Sequence, residues 1–167
     1  MIISTVQKEQ VAARLGRKPR GLRAIVVADE RGQPRVIRVA SLVSGKPFPT
    51  LFWLVDPALN YRIDQDEAGG LIARLQQRVN EDTALQASMV ADHEAHIRLR
   101  DGYLSPAERE SVGELGYTNV LQQRGIGGIA DFQRIRCLHT WYAAHLVVPN
   151  TIGRLLDEYW AACDVEH

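Results

Sequence analysis

The chain has 167 residues, 20 basic and 20 acidic side chains, and 46% hydrophobic residues. That composition fits one globular core of ordinary size and excludes a disordered chain; two cysteines are also too few for a disulfide framework. No apolar run approaches the roughly 18 residues of a membrane span, and "MIISTVQKEQ" lacks a signal peptide's basic start and apolar stretch. A single cytoplasmic domain over 1–167 is therefore expected, with no membrane partner.

In chain order, residues 4–15 read as a short amphipathic helix capped by Ser4 or Thr5, with Val6, Val11 and Leu15 apolar. "GRKPRG" follows as a basic turn. "LRAIVVAD" and "PRVIRVASLV" are rich in β-branched residues, and "ERGQP" between them is a turn signal, so the pair predicts a hairpin. "SGKPFPT" reads as a stiff loop and "LFWLVD" as a buried third strand.

Asp64 and Glu67 have capping-box spacing ahead of a helix carrying Leu71, Ile72, Leu75 and Val79. A second helix is expected over about 82–100 with His93 and His96 on it, and "SPAERE" marks a third start. Helices over about 131–147 and 150–163 close the chain. The predicted fold class is α+β: a small three-stranded antiparallel sheet packed by about five helices.

The segment "RGIGGIADFQRIRCLHTWYAAHL" holds most of the chemistry. Gly125, Gly127 and Gly128 with Arg124, Arg134 and Arg136 suggest an anion cradle at a helix start, although neither dinucleotide nor P-loop spacing is present. Asp131, as the natural cap of that helix, would compete for the same donors. At about 100° per residue, His139 falls about 200° from Cys137 and His145 about 80° from it, so on one helix these three cannot share an ion. By the same arithmetic Cys137 and His139 cannot form a nucleophile–base dyad. Cys137 or His139 with His93 and His96 remains a conceivable zinc set.

The neutral total hides a polarity. Residues 1–50 carry ten basic and three acidic side chains, a surplus of +7 balanced by −7 in the rest. Such polarity can draw an anionic partner, join the two halves of the domain, or drive head-to-tail self-association into a homo-oligomer. The zero total argues against nucleic acid as the partner. Within the basic half, Arg17, Lys18 and Arg20 form the best exposed anion candidate.

Taken in order, "LGRKPRGL", "PFPTLFWLVDP", "DHEAH" and "IRCLHTWYAAHLVVPNTIG" resemble the bacterial proteins grouped as domain-of-unknown-function family 501, over roughly residues 10 to 157. The resemblance implies a single-domain bacterial cytoplasmic protein without an assigned activity. It also implies a departure: members carry a C-x-C-G turn between the first two strands and a cysteine before the proline that follows the third. The matching positions here are Asp29, Arg31 and Asp56. Any metal set of Asp29, Asp56 and His139 in this chain would be harder and weaker than a thiol set.

Three functions follow as expectations. The first is a binding domain for a phosphorylated or otherwise anionic ligand, or an acidic protein partner, using Arg17, Lys18, Arg20, Gly125, Gly127 and Arg136. The second is a hydrolase-like enzyme using His93 and His139 as acid/base groups oriented by Asp56 or Asp29. It would work with or without a metal, whose candidate ligands are Cys137, His139 and His93. The third is a structural or regulatory partner in an assembly. No cofactor is specified by any motif.

Overall fold

The computed structural model describes residues 3–166. Strands β1 (Leu22–Ala28) and β2 (Pro34–Val39) form the expected hairpin. Its turn is closed by Asp29, whose carboxylate accepts the backbone N–H groups of Arg31 and Gln33 at 2.9 Å. Part of the predicted stiff loop is instead a miniature hairpin, β3 (Leu42–Val43) and β4 (Lys46–Pro47). Its connecting residues Ser44 and Gly45 both have positive φ, 53° and 74°, as a primed turn requires. Strand β5 (Phe52–Leu54) then pairs with the free edge of β2, giving an antiparallel sheet in the order β1-β2-β5.

The central strand explains its own irregular hydrophobic pattern. Val36 and Ile37 are adjacent and point to opposite faces, yet both are fully buried. Val36 joins Phe52 and Leu54 in the main core, whereas Ile37 and Val39 meet Val11 and Val55 in a smaller one. Val11 belongs to α1 (Thr5–Leu15), whose start is fixed by a capping box between Ser4 and Gln7. The sheet is thus covered by α1 on one face and on the other by the helix that begins at Leu138, backed by further helices of the main core.

The helices after α1 are α2 (Pro57–Ala68), α3 (Leu71–Asn80), α4 (Thr83–Gly102), α5 (Pro106–Glu114), α6 (Thr118–Gln123), α7 (Leu138–His145) and α8 (Thr151–Val165). The α+β class and three-stranded sheet hold, with eight helices among the described residues rather than about five. Two boundaries differ in ways that matter for the site. Asp64 and Glu67 do not cap a helix; they lie in the last turns of α2, which begins seven residues earlier at Pro57 under the Asp56 cap. The chain breaks at Gly69 and Gly70, where Gly70 takes a left-handed φ of 85°, before α3 resumes.

The predicted helix from 131 does not form until Leu138. Residues 129–137 are held irregular by packing and by a neighbour's side chain. Ile129 and Ile135 plug into the core, and Gln76 of α3 accepts the N–H of Ile135 at 2.9 Å and donates to the carbonyl of Gln133 at 2.8 Å. Tertiary burial supplies what a local helix would otherwise have supplied.

Candidate metal centre

Helix α7 lies on β5, with Leu138, Trp141 and Ala143 completely buried, so its N-terminus is fixed relative to the sheet. Cys137 occupies the N-cap with extended backbone, φ −146° and ψ 122°. It is therefore not a helical residue, and the angular argument that separated it from His139 fails. The cap geometry turns its thiol back over the first turn, where Sγ lies 3.7 Å from His139 Nδ1.

Helix α2 completes the cluster. Asp64 and Glu67, three residues apart and hence on one face, both reach His139. Asp64 Oδ1 is 2.8 Å from His139 Nε2, and Glu67 Oε1 is 3.3 Å from Nδ1. Glu67 is itself anchored, accepting the N–H of Leu138 at 3.1 Å. One ligand atom each from Glu67, Cys137 and His139 lie within 4.8 Å of one another.

The electrostatics follow from this contact set. The neighbouring Cys137 sulfur, with help from Glu67 and Asp64, outweighs burial and raises His139 to about 9. Burial pushes the Cys137 thiol up, but hydrogen bonds from His139 and the Thr140 backbone prevail, and it lies below its ordinary value. Arg136, immediately before the cap, is exposed and held at a φ of 64°, a left-handed conformation that costs a non-glycine residue about 1–2 kcal/mol.

Beside His139 runs a cleft of about 260 Å³ lined by Phe48, Thr50, Trp53 and Thr140 among others. The Arg17 guanidinium lies over the indole of Trp53, 5.0 Å from the ring centroid. The basic turn and the His139 cluster therefore meet through one aromatic residue. Lys18 stands elsewhere, in a separate pocket with Lys8 and Arg23, and Arg20 makes no ion pair among the described residues.

The structure does not bring the other expected residues to this cluster. His93 is fully buried, stacked on Phe132 and edge-on to Trp141, with Nδ1 accepting the N–H of Ile126 at 3.0 Å. Burial lowers it to about 4. Asp56 caps α2 and pairs with Arg35 at 2.8 Å; burial raises its carboxyl, but Arg35 and two backbone N–H groups hold it below the usual range. Asp29 closes the hairpin turn and faces Arg14. His93, His139 and Asp56 thus have separate partners, and the structure does not bring the three together. His93 likewise leaves the metal candidates.

The glycine turn is not a cradle. Ile126–Gly128 form a short 3₁₀ turn whose N–H groups are largely spent internally. Gly125 donates to Ile129, Gly128 to Gly125, Ile129 to Ile126 and Ile126 to His93. Asp131 caps no helix and accepts the N–H of Gln133 instead. The glycines serve packing: a Cβ on Gly125 would sit 2.1 Å from His93 Nδ1, and one on Gly127 would sit 2.6 Å from the Thr140 hydroxyl. Glu67 and Asp64 are the residues sequence reasoning missed. Their D-x-x-E spacing was visible, but the helix start placed upon it hid their shared face.

These features define an α+β protein whose sheet and two helices carry a Cys–His–carboxylate centre beside a cleft. The chain belongs to the family described as "Protein of unknown function (DUF501)", whose model matches residues 25–158. All four cluster residues fall inside that match. Neither the curated proteins nor the solved structures give a match to this chain. No helix among the described residues is long and apolar enough to cross a membrane.

Proposed function

We propose that Glu67, Cys137 and His139 bind a divalent metal ion of the zinc class and that the centre acts hydrolytically on an anionic ligand held in the adjoining cleft. The observation that carries this is the spacing of the ligand atoms. Bonds of about 2.3 Å to sulfur and about 2.0–2.1 Å to nitrogen or oxygen put neighbouring ligands of a tetrahedral zinc ion about 3.3–3.6 Å apart. His139 Nδ1 lies 3.3 Å from Glu67 Oε1 and 3.7 Å from Cys137 Sγ.

Two further features fit the same role. Asp64 receives the far nitrogen of the His139 ring, the arrangement that orients metal-bound histidines and fixes which nitrogen faces the ion. Three protein ligands leave a fourth position for water, as in catalytic rather than structural zinc sites. In this account Glu67, Cys137 and His139 hold the ion, Asp64 positions His139, and Arg17 over Trp53 attracts the ligand's negative charge to the rim. A bacterial, cytoplasmic setting belongs to the same proposal and rests on the family resemblance alone.

Cobalt(II) substitution tests the ligand set. Titrating metal-free protein with Co²⁺ should produce an intense sulfur-to-cobalt charge-transfer absorption with one equivalent bound, absent in Cys137→Ser and weakened in Glu67→Gln. A spectrum no different from aqueous cobalt would overturn the proposal.

A further inference from the structure

A second cavity, of about 290 Å³, opens between the last turns of α4 and helices α5 and α6. Its apolar wall is formed by Ile97, Leu104, Val112 and Leu121, and two arginines of α4, Arg98 and Arg100, also line it. It shares no residue with the Cys137–His139 cluster or its cleft.

Arg100 is the unusual element. It is 1% exposed, and its guanidinium donates to the carbonyls of Pro49 at 2.8 Å, of Arg124 at 2.6 Å, and of Leu121. A guanidinium has five N–H donors, so two remain after these three bonds. No carboxylate forms an ion pair with Arg100 among the described residues. Burial lowers it to about 10, which leaves it charged at neutral pH. An unpaired buried charge is costly, and carbonyl dipoles offset only part of that cost.

The rim does not cancel the charge. Asp101 lines the cavity, but Arg109 occupies it from two directions, bonding its carboxylate at 2.9 Å and its backbone carbonyl at 3.0 Å. Arg98 is exposed and makes no ion pair among the described residues. The cavity therefore presents three guanidiniums against one carboxylate, on an apolar floor. Thr118 and Gln122 stand at the opposite wall as further hydrogen-bonding groups.

We infer that this cavity is a ligand site for a small molecule that joins an oxyanion, a phosphate monoester or carboxylate, to a compact apolar body. The anion meets the free Arg98 fork, which matches planar or tetrahedral oxyanions with paired N–H donors, while Arg100 contributes its charge from the cavity wall. The apolar body lies against Leu104, Val112 and Leu121. The volume of about 290 Å³ sits at the small end of ligand pockets, which suits a single ring or short chain.

Titration calorimetry with phenyl phosphate, benzoate and inorganic phosphate tests it, using wild type, Arg98→Gln, Arg100→Lys and His139→Ala. At least one aryl anion should bind saturably at one site, about tenfold or more tighter than inorganic phosphate. Arg98→Gln, an exposed change that leaves the fold intact, should weaken it about tenfold. Arg100→Lys should do the same by removing the guanidinium from the cavity wall, and His139→Ala should leave binding unchanged. Three outcomes overturn the inference: neither aryl anion saturates, inorganic phosphate binds equally well, or Arg98→Gln has no effect. Loss of binding in His139→Ala would also overturn it, by placing the probe at the metal centre.

Discussion

Gly125 has no side chain because His93 occupies that space: a Cβ would fall 2.1 Å from Nδ1, inside a buried ring held by Phe132 and Trp141. Gly125→Ala should destabilise the protein by about 1–3 kcal/mol, the usual range for overpacking, seen as a lower urea midpoint. An unchanged midpoint would mean that the ring can move aside. At Arg136 the opposite sign is expected, because a left-handed φ of 64° strains a long side chain such as arginine but not glycine. Arg136→Gly should raise stability by up to about 1 kcal/mol in the same assay. Neither effect is legible from sequence. "RGIGG" advertises conformational freedom, but which side chain fills the space above a glycine depends on a residue of another helix, His93.

At the scale of elements, the sequence carried the strands and the Ser4 and Ser105 caps, but misplaced the Asp64 and Asp131 caps and with them two helix starts. The hairpin, Ser4, Ser105 and the third strand stand where propensity and turn chemistry put them. Helix α2 was misplaced because the capping-box spacing of Asp64 and Glu67 suggested a later start, whereas Asp56 and Pro57 are the N-cap and first-turn pair. Asp56 accepts two backbone N–H groups and pairs with Arg35, so it ties α2 to the sheet. Asp56→Ala should cost about 1–2 kcal/mol, and it should leave metal content unchanged because Asp56 touches no residue of the centre. The centre itself could not be read by helical arithmetic. Its thiol sits on the cap rather than in the helix, and its carboxylates come from an element 70 residues earlier in the chain.

Across the whole molecule, the charge polarity is in part an internal fastening. Arg23 pairs with Glu108, Arg35 with Asp56, and Arg38 lies 3.9 Å over the ring of Tyr103, each joining the basic first third to later elements. Two buried neutral histidines set the acid limit of the fold. Burial holds His93 at about 4; burial, Arg100 and His93 hold His96 at about 3; both lie below the ordinary 6.5. The unfolded chain therefore binds more protons than the folded one below about pH 6.5. Stability from these groups is complete above pH 6.5 and is lost progressively as pH falls toward 4 and then 3. The urea midpoint should drop through that window, and His96→Gln should reduce the slope throughout and flatten its lower part, between about 4 and 3. A profile level from pH 7 to 5 would contradict this.

The central claim is that Glu67, Cys137 and His139 bind a metal. It is tested most directly by elemental analysis of protein purified without a metal-affinity tag, before and after equilibration with zinc, alongside His139→Ala. The account predicts close to one equivalent of zinc per wild-type chain and a folded His139→Ala variant that retains none. Absence of metal from wild type even after equilibration would contradict it, and would leave the cluster a thiol–imidazole pair held by two carboxylates.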